Sequence, residues 1–181
     1  LRHYAEVHLA LSPGKRGSGI TFESKCPFDQ LDRSYQNLIR THVFERELRG
    51  VLVGAPLTDV RVTLLAGKAH EKHTEGGDFR EAVYRALRQG LMQAESILLE
   101  PWYAFRIQAD SRQLGRILSD IQRLQGVFEP PRQQENRVTV NGRGPAAGFI
   151  NYSRELAAFT KGKGMFSFRF DGYEPCQNQE E

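Results

Sequence analysis

Apolar residues along this chain follow two periods that take turns. Ala5, Val7, Leu9 and Leu11 alternate with Glu6, His8 and Ala10, the rhythm of a half-buried strand. Ser12-Pro13-Gly14 then supplies a turn before a second short strand over Ile20 to Glu23, so the two strands are predicted to form a hairpin. Leu31, Tyr35, Leu38, Ile39 and Val43 recur at three and four residues, the stripe of an amphipathic helix. It is predicted to end near Gly50, because glycine tolerates the left-handed C-cap conformation. Val60, Val62 and Leu64 return to alternation. From Phe79 through Val83, Ala86, Leu87, Leu91 and Ala94 the spacing is helical again, with Asp78 as N-cap and Glu81 completing a capping box.

Leu98-Leu99-Glu100-Pro101 closes this first unit, since proline disfavours helix at the residue before it and donates nothing to a ladder. Trp102 opens a second. Tyr103, Phe105, Ile107 and Ala109 alternate; Leu114, Ile117, Leu118 and Ile121 form a helix capped by Asp110 or Ser111 and stopped by Gly126. A strand is predicted near Val127 to Glu129, and another is marked by Val138 and Val140 after the polar turn Gln133 to Asn136. Phe149, Ile150, Leu156, Ala157 and Phe159 suggest one helix before Gly162, and Phe166, Phe168 and Phe170 alternate in a last strand expected to face the core. Strand, helix, strand, strand, helix, strand is the ferredoxin-like order. The predicted class is therefore α+β, with domains at 1–99 and 100–176 and a tail at 177–181.

The segment Gly67 to Gly77 has no apolar side chain larger than alanine, so burial cannot offset its ordering entropy. It is expected to project into solvent or toward a polar partner. Lys68, His70 and Lys72 suit phosphate or base contact, although Glu71 and Glu75 dilute the charge. His70 and His73 also suggest a metal site, but zinc needs three or four converging ligands and no third is evident, so no metal ligand is assigned. Gly14-Lys15-Arg16-Gly17-Ser18-Gly19 lacks the GxxxxGK[ST] order of a phosphate cradle and reads as a flexible turn. Thr160-Lys161-Gly162-Lys163-Gly164 offers two lysines as a solvated pair at a helix end or as an RNA contact. Serine and cysteine positions show no elbow motif or paired base. No catalytic residue is assigned.

Composition narrows the classes further. With 181 residues, 39% hydrophobic and 26% charged, the chain is globular rather than disordered. No run approaches the roughly 18 apolar residues that span a bilayer. The net charge of +3 permits an anionic partner but is small and spread over both halves, so it marks neither half as nucleic-acid-binding and gives no case for DNA. Cys26 and Cys176 lie far apart without ligand spacing, which points to a reduced, cytoplasmic setting. The start at Leu1-Arg2-His3-Tyr4 has neither an initiator methionine nor signal-peptide regions, and the chain is expected to be part of a longer protein.

With these elements placed, the chain resembles the last two domains of translational GTPases of the elongation factor G class, most closely the tetracycline-resistance ribosomal protection branch. The residues that carry the resemblance are Tyr4-Ala5-Glu6-Val7, Gly17-Ser18-Gly19 with Phe22-Glu23-Ser24, and Leu31-Asp32-Arg33-Ser34-Tyr35-Gln36-Asn37. The Gly67 to Phe79 loop, Leu98-Leu99-Glu100-Pro101, Phe159-Thr160-Lys161-Gly162 and Gly172-Tyr173 continue it. The resemblance implies a βαβ unit like ribosomal protein S5 domain 2 that reaches the decoding centre, then a ferredoxin-like domain near the large-subunit factor-binding region. It implies the ribosome as partner of a monomeric factor, with no cofactor in this part and GTP and Mg2+ held by a GTPase domain upstream. Lys68, His70, Lys72, His73 and Thr74 would contact small-subunit rRNA, and Lys161 and Lys163 the large subunit. The Ala69 to Thr74 tip lacks the aromatic, serine and proline of protection proteins, and His70 falls where elongation factor G carries a histidine used in translocation. Three expectations follow: release of tetracycline from the ribosome, a translocation paralogue, or a stand-alone RNA- or protein-binding module.

Overall fold

In the computed structural model, which describes residues 2–177, the first unit is built on strands β1 (Ala5–Pro13), β2 (Ile20–Ser24) and β3 (Val60–Ala69). The expected tail, past Gln177, lies outside the described residues. Helices α1 (Arg33–Phe44) and α2 (Gly76–Gln93) complete the unit. The sheet order is β1-β3-β2, with β3 antiparallel to β1 and parallel to β2. The predicted hairpin therefore does not form, because β3 lies between its two strands. Val62, Thr63 and Leu64 of β3 are all buried, so β3 gains most from the central place. The loop between β1 and β2 has only to cross the roughly 10 Å between next-nearest strands.

Helix α1 starts where Asp32 accepts from the Ser34 amide at 3.0 Å. It ends where its apolar stripe ends, next to Val43, and not near Gly50. Gly50 instead sits in a turn, donating to the Ala55 carbonyl at 2.8 Å beside the Arg49–Pro56 bridge. Helix α2 begins three residues earlier than its apolar pattern. Asp78 is not the cap but reaches back to accept from the Glu75 amide at 2.8 Å, which satisfies that donor and lets Gly76 and Gly77 enter the helix. Ile39, Val43, Val62, Leu64, Phe79, Val83 and Leu87 form the core, each contributing about 1.5–3 kcal/mol of burial.

The chain divides between Ile97 and Leu98. The second unit runs β4 (Leu99–Asp110), α3 (Leu114–Arg123), β5 (Val127–Phe128), β6 (Arg132–Gln134), β7 (Arg137–Pro145), α4 (Ala146–Phe149), α5 (Tyr152–Thr160) and β8 (Met165–Pro175). Its sheet order β5-β7-β4-β8 is that of the ferredoxin-like fold, and the α+β class holds. Pro101 lies inside β4 rather than ending the ladder, because the pairing with β8 shifts register between Pro101 and Tyr103. The chain leaves α3 through Gln125 at φ 61, not through Gly126. Gly126 answers to space instead: a Cβ there would stand 2.9 Å from Phe149 Cζ and 3.0 Å from the Arg143 carbonyl oxygen. The single helix expected over 149–159 is two, α4 and α5, broken at Ile150 and Asn151.

Ile107, Ile117, Ile121, Val140, Phe149, Tyr152 and Leu156 make the second core. Above it the buried Asp120 carboxylate accepts from the Tyr152 hydroxyl at 3.0 Å and from Arg116 Nε at 3.0 Å. Of the phenylalanine stripe, Phe166 packs on this core, 5.4 Å from the Tyr152 ring. Phe168 and Phe170 do not, contrary to the expectation from alternation. They lie on β8 at the sheet edge, exposed, with Phe168 stacked on Tyr103 at 4.6 Å, because the helical cover stops at Phe166.

Candidate functional site

The polar segment between β3 and α2 is shorter than its sequence suggested. Gly67, Lys68 and Ala69 belong to β3, paired with Val7, Glu6 and Ala5, and only His70 to Glu75 form the loop. Gly67 is buried, and a Cβ at this position would stand 2.6 Å from Leu31 Cδ2 and 3.1 Å from the Glu6 carbonyl oxygen. Glycine is required there by close approach, not by flexibility.

The loop is tied to the strand before β1. The Thr74 hydroxyl accepts from the His70 amide at 2.7 Å and donates to the Tyr4 carbonyl at 2.6 Å. The Tyr4 amide in turn donates to the His73 carbonyl at 2.9 Å. Within the loop, the His73 and Thr74 amides donate to the His70 carbonyl at 3.0 and 2.9 Å, and the Lys72 amide donates to His70 Nδ1 at 3.2 Å. The His70 and His73 rings lie 4.6 Å apart, tilted by 34°. Lys68, His70 and Lys72 are exposed, while His73 and Thr74 are half-buried. The structure thus brings these five residues together, and it spends the Thr74 hydroxyl on the backbone.

Two acidic groups near the loop, Asp78 and Glu6, are engaged. His3 Nδ1 stands 3.0 Å from Asp78 Oδ1. Glu6 is bonded by His8 Nε2 at 2.6 Å and by the Tyr4 hydroxyl at 2.8 Å, and those bonds, His8 first, hold its carboxyl below the ordinary carboxylate range. The Tyr4 phenol is raised by the same bond to Glu6. Among the described residues no group of three or more His, Cys, Asp and Glu converges as metal ligands, and no helix is long and apolar enough to cross a membrane.

Lys161 and Lys163 stand in the second unit, both exposed, in the turn that joins α5 to β8. Lys161 is the left-handed C-cap of α5 at φ 53, and Gly162 follows at φ 76. Thr160 fixes this turn, its hydroxyl donating to the Leu156 carbonyl at 2.6 Å and accepting from the Gly164 amide at 2.9 Å.

Sequence reasoning missed Tyr4 and the latching role of Thr74. No local signal carries either, because the bond spans 70 positions of sequence.

A βαβ unit with a tethered polar loop, followed by a ferredoxin-like unit, defines a tandem of the translation-factor type. Residues 1–95 match the family described as elongation factor G, domain IV, and residues 97–181 match elongation factor G C-terminus. The chain belongs to the elongation factor G family. It is 31% identical over 173 residues to elongation factor G 1 of Synechocystis sp., covering 96% of this chain and 25% of that protein. It is 29% identical over 171 residues to the tetracycline resistance protein TetP of Clostridium perfringens, covering 94% of this chain and 26% of TetP. The crystal structure of ttk003000868 from Thermus thermophilus superposes with a TM-score of 0.85 at 27% identity, over 95% of this chain and 26% of that one. The chain spans about a quarter of the length of each of these relatives.

Proposed function

We propose that this chain is the ribosome-binding C-terminal part of a translational GTPase, and that it presents the His70 loop to small-subunit rRNA near the decoding centre. The observation that carries this reading is the loop itself: His70 and Lys72 are exposed while the backbone beneath them is bonded to Tyr4 and to itself. A loop ordered in advance loses less entropy on binding, so more of each contact appears as affinity. Lys68, His70, Lys72 and His73 make the small-subunit contact, Thr74 holds them in place, and Lys161 and Lys163 face the large-subunit factor-binding region. The factor works in the cytoplasm as a monomer.

The chain supplies binding rather than bond chemistry. Gly14 to Gly19 joins β1 to β2 instead of opening a helix, so it does not fit the phosphates of GTP, which with Mg2+ fall to a GTPase domain upstream. We assign release of tetracycline from the ribosome as the outcome of insertion, a reading supported by the similarity to TetP. Translocation is the second reading, favoured by the exposed imidazole of His70 in a tip without aromatic or proline, and by the similarity to elongation factor G 1.

The test expresses the gene of the longer protein in a tetracycline-sensitive host and measures drug tolerance alongside ribosome-stimulated GTP hydrolysis. Raised tolerance that is lost in His70→Ala/Lys72→Ala, at unchanged melting temperature, is expected. Normal ribosome-stimulated hydrolysis without raised tolerance selects translocation. Absence of any ribosome stimulation overturns both in favour of a stand-alone binding module.

A further inference from the structure

A wide concavity of the first unit runs along α2 from Gly77, next to the loop, to Met92, against the segment that follows α1. It is a groove of about 1040 Å³. Five arginines line it, Arg46, Arg49, Arg80, Arg85 and Arg88, against two acids, Glu47 and Glu81. With Glu45, the partner of Arg80, five arginines face three acids, and five less three leaves a local excess of +2.

Three of the arginines have partners. Arg80 Nε donates to Glu45 at 2.9 Å, Arg85 Nη2 meets Glu81 at 2.6 Å, and Arg49 bonds Glu47 at 3.1 Å and the Gly54 carbonyl at 2.8 Å. Arg46 and Arg88 have no carboxylate or carbonyl partner among the described residues. Arg46 lies over the Tyr84 ring, its Cζ 3.5 Å from the centroid, and Arg88 is one turn along α2 from Tyr84. Two guanidinium groups with free donors therefore line a groove whose own acids, Glu47 and Glu81, are already occupied.

An acidic amphipathic helix and an RNA strand both suit positive charge, and the floor decides between them. A docked helix needs apolar anchors at several successive turns. Leu87 and Leu91 are already in the core at 4% and 9% exposure, which leaves Val51 and Met92 as the exposed large apolar side chains of the groove. Arg46 covers one face of Tyr84 and the half-buried ring packs against the core, so it makes a poor platform for base stacking. What remains is a row of planar forks that match phosphate oxygens in pairs. We infer that this groove binds the phosphodiester backbone of structured RNA without reading its sequence, through Arg46 and Arg88, as a contact separate from the His70 loop.

The experiment measures anisotropy of a fluorescein-labelled RNA hairpin with the 181-residue chain across a salt series. Each lost phosphate contact lowers the slope of log K against log salt by about one. Arg46→Gln/Arg88→Gln is expected to lower the slope by about two and to weaken binding by one to two orders of magnitude at about 0.1 M salt. Arg46→Lys/Arg88→Lys should restore the slope, and because the glutamine variant also loses the Arg46–Tyr84 contact, circular dichroism should show all three proteins folded at the assay temperature. An unchanged slope in the glutamine variant, no binding by the wild type, or displacement of the hairpin by poly-glutamate at equal charge would each overturn the inference. His70→Ala/Lys72→Ala, run in parallel, separates the two contacts: if it alone lowers the slope, the groove is refuted while the loop reading stands.

Discussion

Replacing Thr74 with valine removes a hydroxyl and keeps the shape, so it isolates the latch that holds the candidate loop. The variant loses the bond from the His70 amide at 2.7 Å and the donation to the Tyr4 carbonyl at 2.6 Å. Each is worth about 0.5–1.5 kcal/mol net, and since Thr74 is half-buried water replaces part of that, so the expected loss is ~1–2 kcal/mol. The Tyr4 amide still reaches the His73 carbonyl at 2.9 Å, so the loop loosens without detaching. In a unit of this size the transition falls by about 4–8 °C for each kcal/mol. Hydrogen exchange at the His70 amide should accelerate by about 5–30-fold, the ratio equivalent to the same energy. Thr74→Ser keeps the oxygen and should retain most of the protection. If Thr74→Val melted and exchanged at His70 like the wild type, the latch would not exist and the preordered loop would have to be abandoned.

Three further outcomes are expected. Glu45 is held at about 2, below its ordinary 4.5, by bonds from the Tyr84 hydroxyl and from Arg80; the stability it adds is present above about 4.5 and lost as pH falls toward 2. Melting temperature followed against pH should show that loss in the wild type and a flatter profile in Glu45→Gln. Gly144→Ala would drive a Cβ into the Phe149 ring, 2.8 Å from Cδ2, and should lower the urea midpoint of the second unit by the equivalent of about 1–3 kcal/mol. Tyr152→Phe removes the 3.0 Å bond to the buried Asp120 carboxylate while Arg116 stays, for a loss of about 1.5–3 kcal/mol by chemical denaturation.

Periodicity found the elements with a strong apolar face. The stripe from Phe79 to Leu91 and Ile117 with Ile121 lie where their spacing placed them, because one face of each helix is buried, and Val62 and Leu64 reach the core as alternation placed them although Thr63 between them is buried too. It failed where partners are distant in sequence. Nothing local tells Ile20 to Ser24 that β3 will take the place beside β1, and nothing in Arg132-Gln133-Gln134, all exposed, marks a strand that exists only through its bonds to β7. The three phenylalanines of β8 alternate perfectly, yet only Phe166 is covered, since alternation reports a face and not how far the helices extend over it. At the loop, exposure of Lys68, His70 and Lys72 followed from composition; the ties to Tyr4 required the fold. The arginine groove was invisible for the same reason, its members coming from two stretches that only α1 and α2 side by side bring together.

The loop grows from β3, the middle strand of its sheet, which is bonded along Val60 to Leu64 to β2 on one side and to β1 on the other. A thrust delivered to the tip along the strand axis therefore loads two ladders at once in shear, where many bonds must yield together. A tip hung from an edge strand would load one ladder only, and fewer bonds would share the same push. Strand order, more than any side chain, sets how this loop resists a push along its strand.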